Sequence, residues 1–158
     1  MHIRPIIDAD LLAVLEVYRQ CEDFLALGPN PRASFEMIAA DREISRAQNG
    51  EFCGLFAPDG NMMGIFDFVR AGFNGDPACA FIELLMIAAP YRSQGAGARA
   101  VAWLEADLRR AGAARVEAAV QANNPRGIRF WESMGFRIVG PEELQPDGTV
   151  TYPLEKVI

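Results

Sequence analysis

The 158-residue chain has one histidine and three cysteines. His2 lies at a terminus prone to fraying, so nucleophilic or metal chemistry built on histidine is not expected. Cys21, Cys53 and Cys79 are odd in number, far apart and without a Cys-x-x-Cys pair. Neither a disulfide framework nor a thiolate metal site is expected, no metal is assigned, and a reducing cytoplasm is the expected compartment. Cys53 and Cys79 fall in strand-like runs and read as buried small hydrophobes, whereas Cys21 ends a helix-like run and reads as exposed. There is no run of eighteen apolar residues and no basic-then-apolar N-terminus, so neither a membrane span nor a secretory signal is expected. No Gly-Lys-Ser/Thr occurs, which excludes a nucleotide-hydrolysing P-loop. Fifteen Lys and Arg against 21 Asp and Glu leave a net charge of −6, too acidic for a nucleic-acid partner. Repeats, low-complexity tracts and linkers are also missing. The length fits one domain over residues 1–158, able to bury about 70% of its unfolded surface without metal or disulfide support.

What is present is concentrated in Glu83-Leu-Leu-Met-Ile-Ala-Ala-Pro-Tyr-Arg-Ser-Gln-Gly-Ala-Gly-Ala-Arg99. A β-prone apolar run is stopped by Pro90. A glycine-punctuated loop then opens an amphipathic run ending near Gly112. Strand, glycine loop and helix N-terminus together form an anion-binding arrangement. Glycines let the backbone approach, the first amides of the helix lack internal partners, and the helix dipole favours negative charge. Positive charge collects near this loop (Arg92, Arg99) and from Arg126 to Arg137, which suits a small anionic cofactor carrying a diphosphate.

Periodicity supplies the remaining elements. Ile3 to Ile7 reads as a first strand. Asp8 or Asp10 can cap a helix bearing Leu11, Leu15 and Tyr18. Phe24–Pro31 reads as irregular. Ser34 caps a second helix carrying Met37, Ile38, Asp41, Ile44 and Ser45, stopped by Asn49-Gly50. Residues 51–57 and 62–70 flank Pro58-Asp-Gly-Asn61 as a hairpin. Strand 79–87 precedes the glycine loop, whose helix presents Val101, Leu104, Leu108 and Ala111 with a Glu105–Arg109 pair. Residues 115–120 form a strand, Asn124-Pro125 starts a helix, and Phe136–Gly140 with 150–157 makes a second hairpin. The order β-α-α-β-β-β-α-β-α-β-β predicts an α/β fold with one mixed central sheet flanked by helices.

Two motifs in this frame resemble one superfamily. Arg92-Ser-Gln-Gly-Ala-Gly97 fits the Arg/Gln-x-x-Gly-x-Gly/Ala signature of the GNAT N-acetyltransferases. Asn124-Pro-Arg-Gly-Ile-Arg-Phe-Trp-Glu-Ser-Met-Gly-Phe136 resembles their later Asn-x-x-Ala-x-x-Phe-Tyr-x-x-x-Gly-Phe segment. The close resemblance covers roughly residues 80 to 140, and before that only the element order agrees.

The resemblance implies acetyl-CoA as donor and a small-molecule or peptide amine as acceptor, with no nucleic acid or membrane partner. It places the pyrophosphate on main-chain amides of Arg92, Ser93, Gln94, Gly95, Ala96, Gly97 and Ala98. It lays the pantetheine arm in a splay between two strands, along Leu85, Met86 and Ile87. Asn124, Arg126 and Trp131 join the cofactor-binding residues. The amine attacks directly, with the Ile87 amide polarising the carbonyl and Glu83 as base. In an alternating strand Glu83 shares a face with Leu85 and Ile87, and burial there would raise its pKa. Trp131 stands where relatives carry a proton-donating tyrosine and has no proton to give near neutral pH. Tyr91 and Tyr152 are therefore the available phenols, unless the thiolate leaves unassisted. Phe24–Pro31 matches the acceptor-lining segment of relatives, and a homodimer through the C-terminal strands follows by analogy.

Other readings stand beside these. Asn124 fits a plain helix cap, Glu83 a salt-bridged strand carboxylate, and Phe130 and Trp131 core packing. Trp131 at the acid position also fits a non-catalytic acyl-CoA sensor. Gly95 to Ala100 fits a dinucleotide fingerprint, but the seven-residue turn before it and the 58 residues after it disfavour an oxidoreductase.

Overall fold

Apolar periodicity sets the element boundaries in the computed structural model, which describes all of residues 1–158. The strands are β1 (His2–Pro5), β2 (Glu51–Phe56), β3 (Met62–Val69), β4 (Cys79–Ile87), β5 (Arg115–Gln121), β6 (Arg137–Ile138), β7 (Glu143–Leu144) and β8 (Val150–Val157). The helices are α1 (Leu11–Arg19), α2 (Glu22–Leu25), α3 (Phe35–Ala47), α4 (Ala96–Ala111) and α5 (Pro125–Ser133). All strands join one sheet in the order β1-β2-β3-β4-β5-β8-β6, with β7 also on β8. Only β4 and β5 pair in parallel, so the sheet is mixed, as the element order predicts.

Alternation along the strands sends side chains to two apolar layers. Phe66, Phe68 and Ile82 pack with Val101, Leu104 and Leu108 of α4. Ile65 and Met86 pack on the opposite face with Val14 and Tyr18 of α1 and Ile38 of α3. Ser34 caps α3, its hydroxyl accepting from the Met37 amide at 3.1 Å. Glu105 pairs with Arg109 at 3.1 Å, and also with Lys156 of β8 at 2.5 Å, tying α4 to the sheet.

Several local expectations are overturned. Asp10 caps nothing in α1, because its carboxylate is held by the Ile7 amide and the Arg4 guanidinium. Part of the segment expected to be irregular is helical, as α2. Cys21 is buried rather than exposed, since α2 folds its end of α1 against β4. The C-terminal hairpin shrinks to two paired residues between β6 and β8, with β7 as an added short strand.

Two irregularities shape the middle of the sheet. Between β3 and β4, Asp67 faces Leu84 and Phe68 faces Ile82, so Glu83 is a bulge residue without a partner. Between β4 and β5, pairing runs from Cys79–Arg115 to Ile82–Ala118 and then stops. β5 continues to Gln121 against β8 instead. The sheet therefore opens into a wedge between residues 83–87 and 119–121.

Gly64 keeps β3 close to β4: a methyl added there would collide with the Met86 carbonyl oxygen. Gly64→Ala should destabilise the fold by about 1–3 kcal/mol, read as a lowered urea midpoint with an unchanged m-value.

Candidate active site

The loop after β4 is an anion cradle made of backbone. A 3-10 turn (Ala89–Tyr91) leads to Ser93 and Gly95, both at positive φ (60° and 75°), and α4 begins at Ala96. No side chain caps that helix. The amides of Ser93, Gln94, Gly95, Ala96, Gly97 and Ala98 donate to no backbone or side-chain acceptor; the first helical bond at this end is Arg99 N to Gly95 O. Six free donors at a positive dipole end are what an anion with several oxygens requires. Gly97 lets α4 approach α5, since an added Cβ would sit 3.3 Å from the Phe130 ring.

Arg92 departs from its expected place. Its amide bonds the Ala89 carbonyl, and its guanidinium turns away to Asp23 (2.7 and 2.9 Å), the Gln20 carbonyl and the Ile87 carbonyl (both 2.8 Å). It locks α1 and α2 to the end of β4. The same ion pair holds the Asp23 carboxyl below the usual carboxylate range.

The wedge presents the second half of the site. Ala88 donates to Met63, which makes Ile87 and Gly64 a non-hydrogen-bonded pair. The main-chain groups of Leu85 and the Ile87 amide therefore point toward β5, where pairing has ended, while the Ile87 carbonyl is taken by Arg92 and Cys21. Those of Met86 are spent on Ile65, so Met86 offers no free amide there, contrary to expectation.

On the far side, Asn124 caps α5: its Oδ1 accepts from the Gly127 amide at 2.8 Å, leaving Nδ2 free of protein acceptors. A Cβ at residue 127 would sit 2.6 Å from that nitrogen, so glycine there sets the cap geometry. Arg126 is exposed at the start of α5 and forms no ion pair within the chain. Trp131 is core rather than cofactor surface: it is 8% exposed, with its ring 5.0 Å from those of Phe130 and Phe136. Tyr91 lies half-buried in the turn that follows β4, packed against both apolar layers. Tyr152 is on β8, one strand beyond β5 from the wedge, and its hydroxyl donates to Glu142 at 2.7 Å. That bond raises the Tyr152 pKa and takes this phenol away from the wedge.

Glu83 stands at the apex of the wedge, but on the opposite face from the one expected. The bulge turns it to the α3 side, where it lines a small cavity with Asp41, Ile44, Asp67 and Leu84. Its side chain is exposed rather than buried. Partial desolvation, then Asp67, then Asp41, push its pKa up. No salt bridge holds it, so the paired-carboxylate reading finds no partner. Asp67 is 1% exposed, accepts from Ser45 Oγ at 2.7 Å and has its pKa pushed up by burial to about 6. Sequence reasoning missed Asp67 as a site residue, although a lone carboxylate inside Ile65-Phe-Asp-Phe-Val69 was a visible signal.

Beyond the tip of β5 lies a cleft of about 340 Å³, walled by Leu27, Gly28, Pro29, Asn123, Asp147 and Thr149. Asn123 Nδ2 spans it to the Leu27 carbonyl at 3.2 Å. Part of the Phe24–Pro31 segment thus lines this cleft. No group of His, Cys, Asp or Glu side chains suited to a metal ion is found, and no helix is long and apolar enough to cross a membrane.

Comparison with known proteins agrees with this geometry. The model of the acetyltransferase (GNAT) family matches residues 12–136. Among solved structures, an acetyltransferase from Thermus thermophilus is 21% identical with a TM-score of 0.80, over 99% of this chain and 96% of its own. A ribosomal-protein-alanine N-acetyltransferase from Brucella melitensis is 20% identical with a TM-score of 0.72, over all of both chains. The PaiA N-acetyltransferase from Thermoplasma acidophilum, solved with coenzyme A, is 20% identical with a TM-score of 0.69, over 99% and 98%. No curated protein sequence matches the chain.

The raised Asp67 pKa has a stability consequence of defined sign. Between its ordinary value of 3.8 and about 6, the folded state keeps a proton at Asp67 that the unfolded state has released. Asp67 therefore weakens the fold progressively as pH rises through that window. Relative to the parent, Asp67→Asn should gain on the order of 2 kcal/mol between about pH 4 and pH 7, measured as the difference between urea-unfolding free energies at the two pH values.

Proposed function

Because the chain belongs to the GNAT acetyltransferase family, we propose that it transfers an acetyl group from acetyl-CoA to a primary amine of a small-molecule or peptide acceptor by direct attack. The observation that carries this reading is the row of six unpartnered amides from Ser93 to Ala98, beside a strand edge where the Leu85 main chain and the Ile87 amide are open. A diphosphate joined to an amide-bearing arm matches both features: anion oxygens for the amides, and a strand-like partner for the open edge. The Thermoplasma acidophilum relative was solved with coenzyme A.

Bound acetyl-CoA supplies an acyl carbon activated by sulfur and a thiolate able to leave with the bonding pair. The chain does the rest. Amides 93–98 hold the diphosphate. The Leu85 main chain holds the arm, and the Ile87 amide donates to the acyl oxygen. Asn124 contributes Nδ2, and Arg126 adds positive charge at the mouth. Glu83 accepts one proton from the acceptor ammonium, freeing the nitrogen lone pair, and its raised pKa suits a base working near neutrality. Tyr91 is the phenol left to protonate the departing sulfur, because Tyr152 is bonded to Glu142.

Two variants test this. Gly95→Val places a β-branched residue at φ 75° in the cradle and should abolish CoA binding in isothermal titration, with a lower melting temperature but a still cooperative melt; unaltered affinity refutes the cradle. Glu83→Gln should lower kcat/KM by about 10²-fold, followed by thiol release with a reactive amine, and should flatten the acidic limb of the pH–rate profile.

A further inference from the structure

The cavity behind Glu83 contains two more carboxyl groups that the transfer chemistry above leaves unused. Asp41 of α3, Asp67 of β3 and Glu83 of β4 line one space of about 80 Å³, with Ile44 and Leu84 completing its wall. Both companions are held in place. Asp67 Oδ1 accepts from the buried Ser45 hydroxyl at 2.7 Å, and Asp41 Oδ2 accepts from the buried Tyr18 hydroxyl at 2.6 Å. No cation offsets them. Every arginine and lysine ion pair of the chain ends on other carboxylates; on α3 itself, Arg42 reaches Asp8 and Arg46 reaches Glu43.

The groups facing Glu83 from each packed element are few. From α3 comes Asp41, from the residue that ends it the neutral Gln48, from β3 Asp67, and from α1 Tyr18 behind Asp41. At the level where pairing with β5 ends, that strand presents only Ala118 and Ala119. Like charges around one poorly hydrated space raise the proton affinity of each group there, and the one an outside ammonium can reach is the one able to use it. Here that member is Glu83: Asp67 is sealed, whereas Glu83 is exposed at the wedge apex.

We propose that Asp67 and Asp41 are positioning residues for Glu83: once ionised, their negative charge across the shared cavity makes it a stronger base toward the acceptor ammonium. This rests on the reading of Glu83 as the base. The step itself transfers one proton from the ammonium nitrogen to the Glu83 carboxylate, with no change at Asp67 or Asp41. Ser45 and Tyr18 keep those two carboxylates aimed at the cavity.

The test is the pH dependence of kcat/KM for the parent, Glu83→Gln, Asp67→Asn, Asp41→Asn and the Glu83→Gln/Asp67→Asn pair. In Asp67→Asn and Asp41→Asn the acidic limb should move to lower pH and the plateau rate fall about threefold, as a weaker base predicts. The double variant should match Glu83→Gln alone. If Glu83→Gln removes the limb while both Asn variants keep it at the parental pH, the charge coupling is wrong and the base assignment stands. If Glu83→Gln retains the parental limb, the base assignment fails and this proposal with it. A lower rate with an unmoved limb would mark Asp67 as merely structural and overturn the proposal. Should Asp67→Asn lose its cooperative melt, Asp41→Asn carries the same test.

Discussion

The separation of β4 from β5 beyond Ile82 is the constraint on which the site depends. Two parallel strands normally continue pairing while their backbones stay in register. Here β5 satisfies its other edge against β8 along its whole length, and the Glu83 bulge bends β4 away. The Leu85 main chain and the Ile87 amide are left facing an open wedge, as strand backbone without a strand. Such an edge recruits an extended, amide-bearing partner.

The same end of β4 delivers the second recognition element. Pro90 ends the strand, Ser93 and Gly95 turn the chain through positive φ, and α4 starts without a side-chain cap. A helix N-terminus usually recruits a Ser, Thr, Asp or Asn to satisfy its first amides. This one leaves six amides to an outside acceptor. By contrast, α3 and α5 are capped internally by Ser34 and Asn124. Arg92 supports the arrangement from behind: it clamps α1, α2 and the Ile87 carbonyl together, so the loop is positioned by a residue whose own charge points elsewhere.

Charge is distributed to match. The chain is acidic overall, and Arg126 lies unpaired by the wedge mouth, while three carboxyl groups gather on the α3 side. An anion is favoured on one face and an ammonium group on the other. Burial of Asp67 beside Ser45 is unfavourable to the fold at neutral pH, a local conflict of the kind that functional sites retain.

Most elements were legible in the sequence because their signals are local: apolar β-prone runs in β2, β3 and β4, helical spacing in α4, Ser34 and Asn124 as caps, and turn residues at Pro58–Asn61. The glycine loop was legible too, since Gly95 and Gly97 in that spacing admit few other uses. Features that depend on partners distant in the chain were not. The bulge turns Glu83 to the face opposite the one strict alternation assigns it, because register is settled by β3 rather than by β4 itself. Arg92 and Tyr152 carry the right chemistry for the site, yet Asp23 and Glu142 claim them. Cys21 is buried because α2 folds its end of α1 onto β4. The chain on its own thus determined which segments become strands and helices and where an anion can be held, since these follow from backbone conformation and nearest neighbours. Tertiary structure alone decided which side chains are free to act there, because hydrogen bonds and burial are awarded by residues tens of positions away.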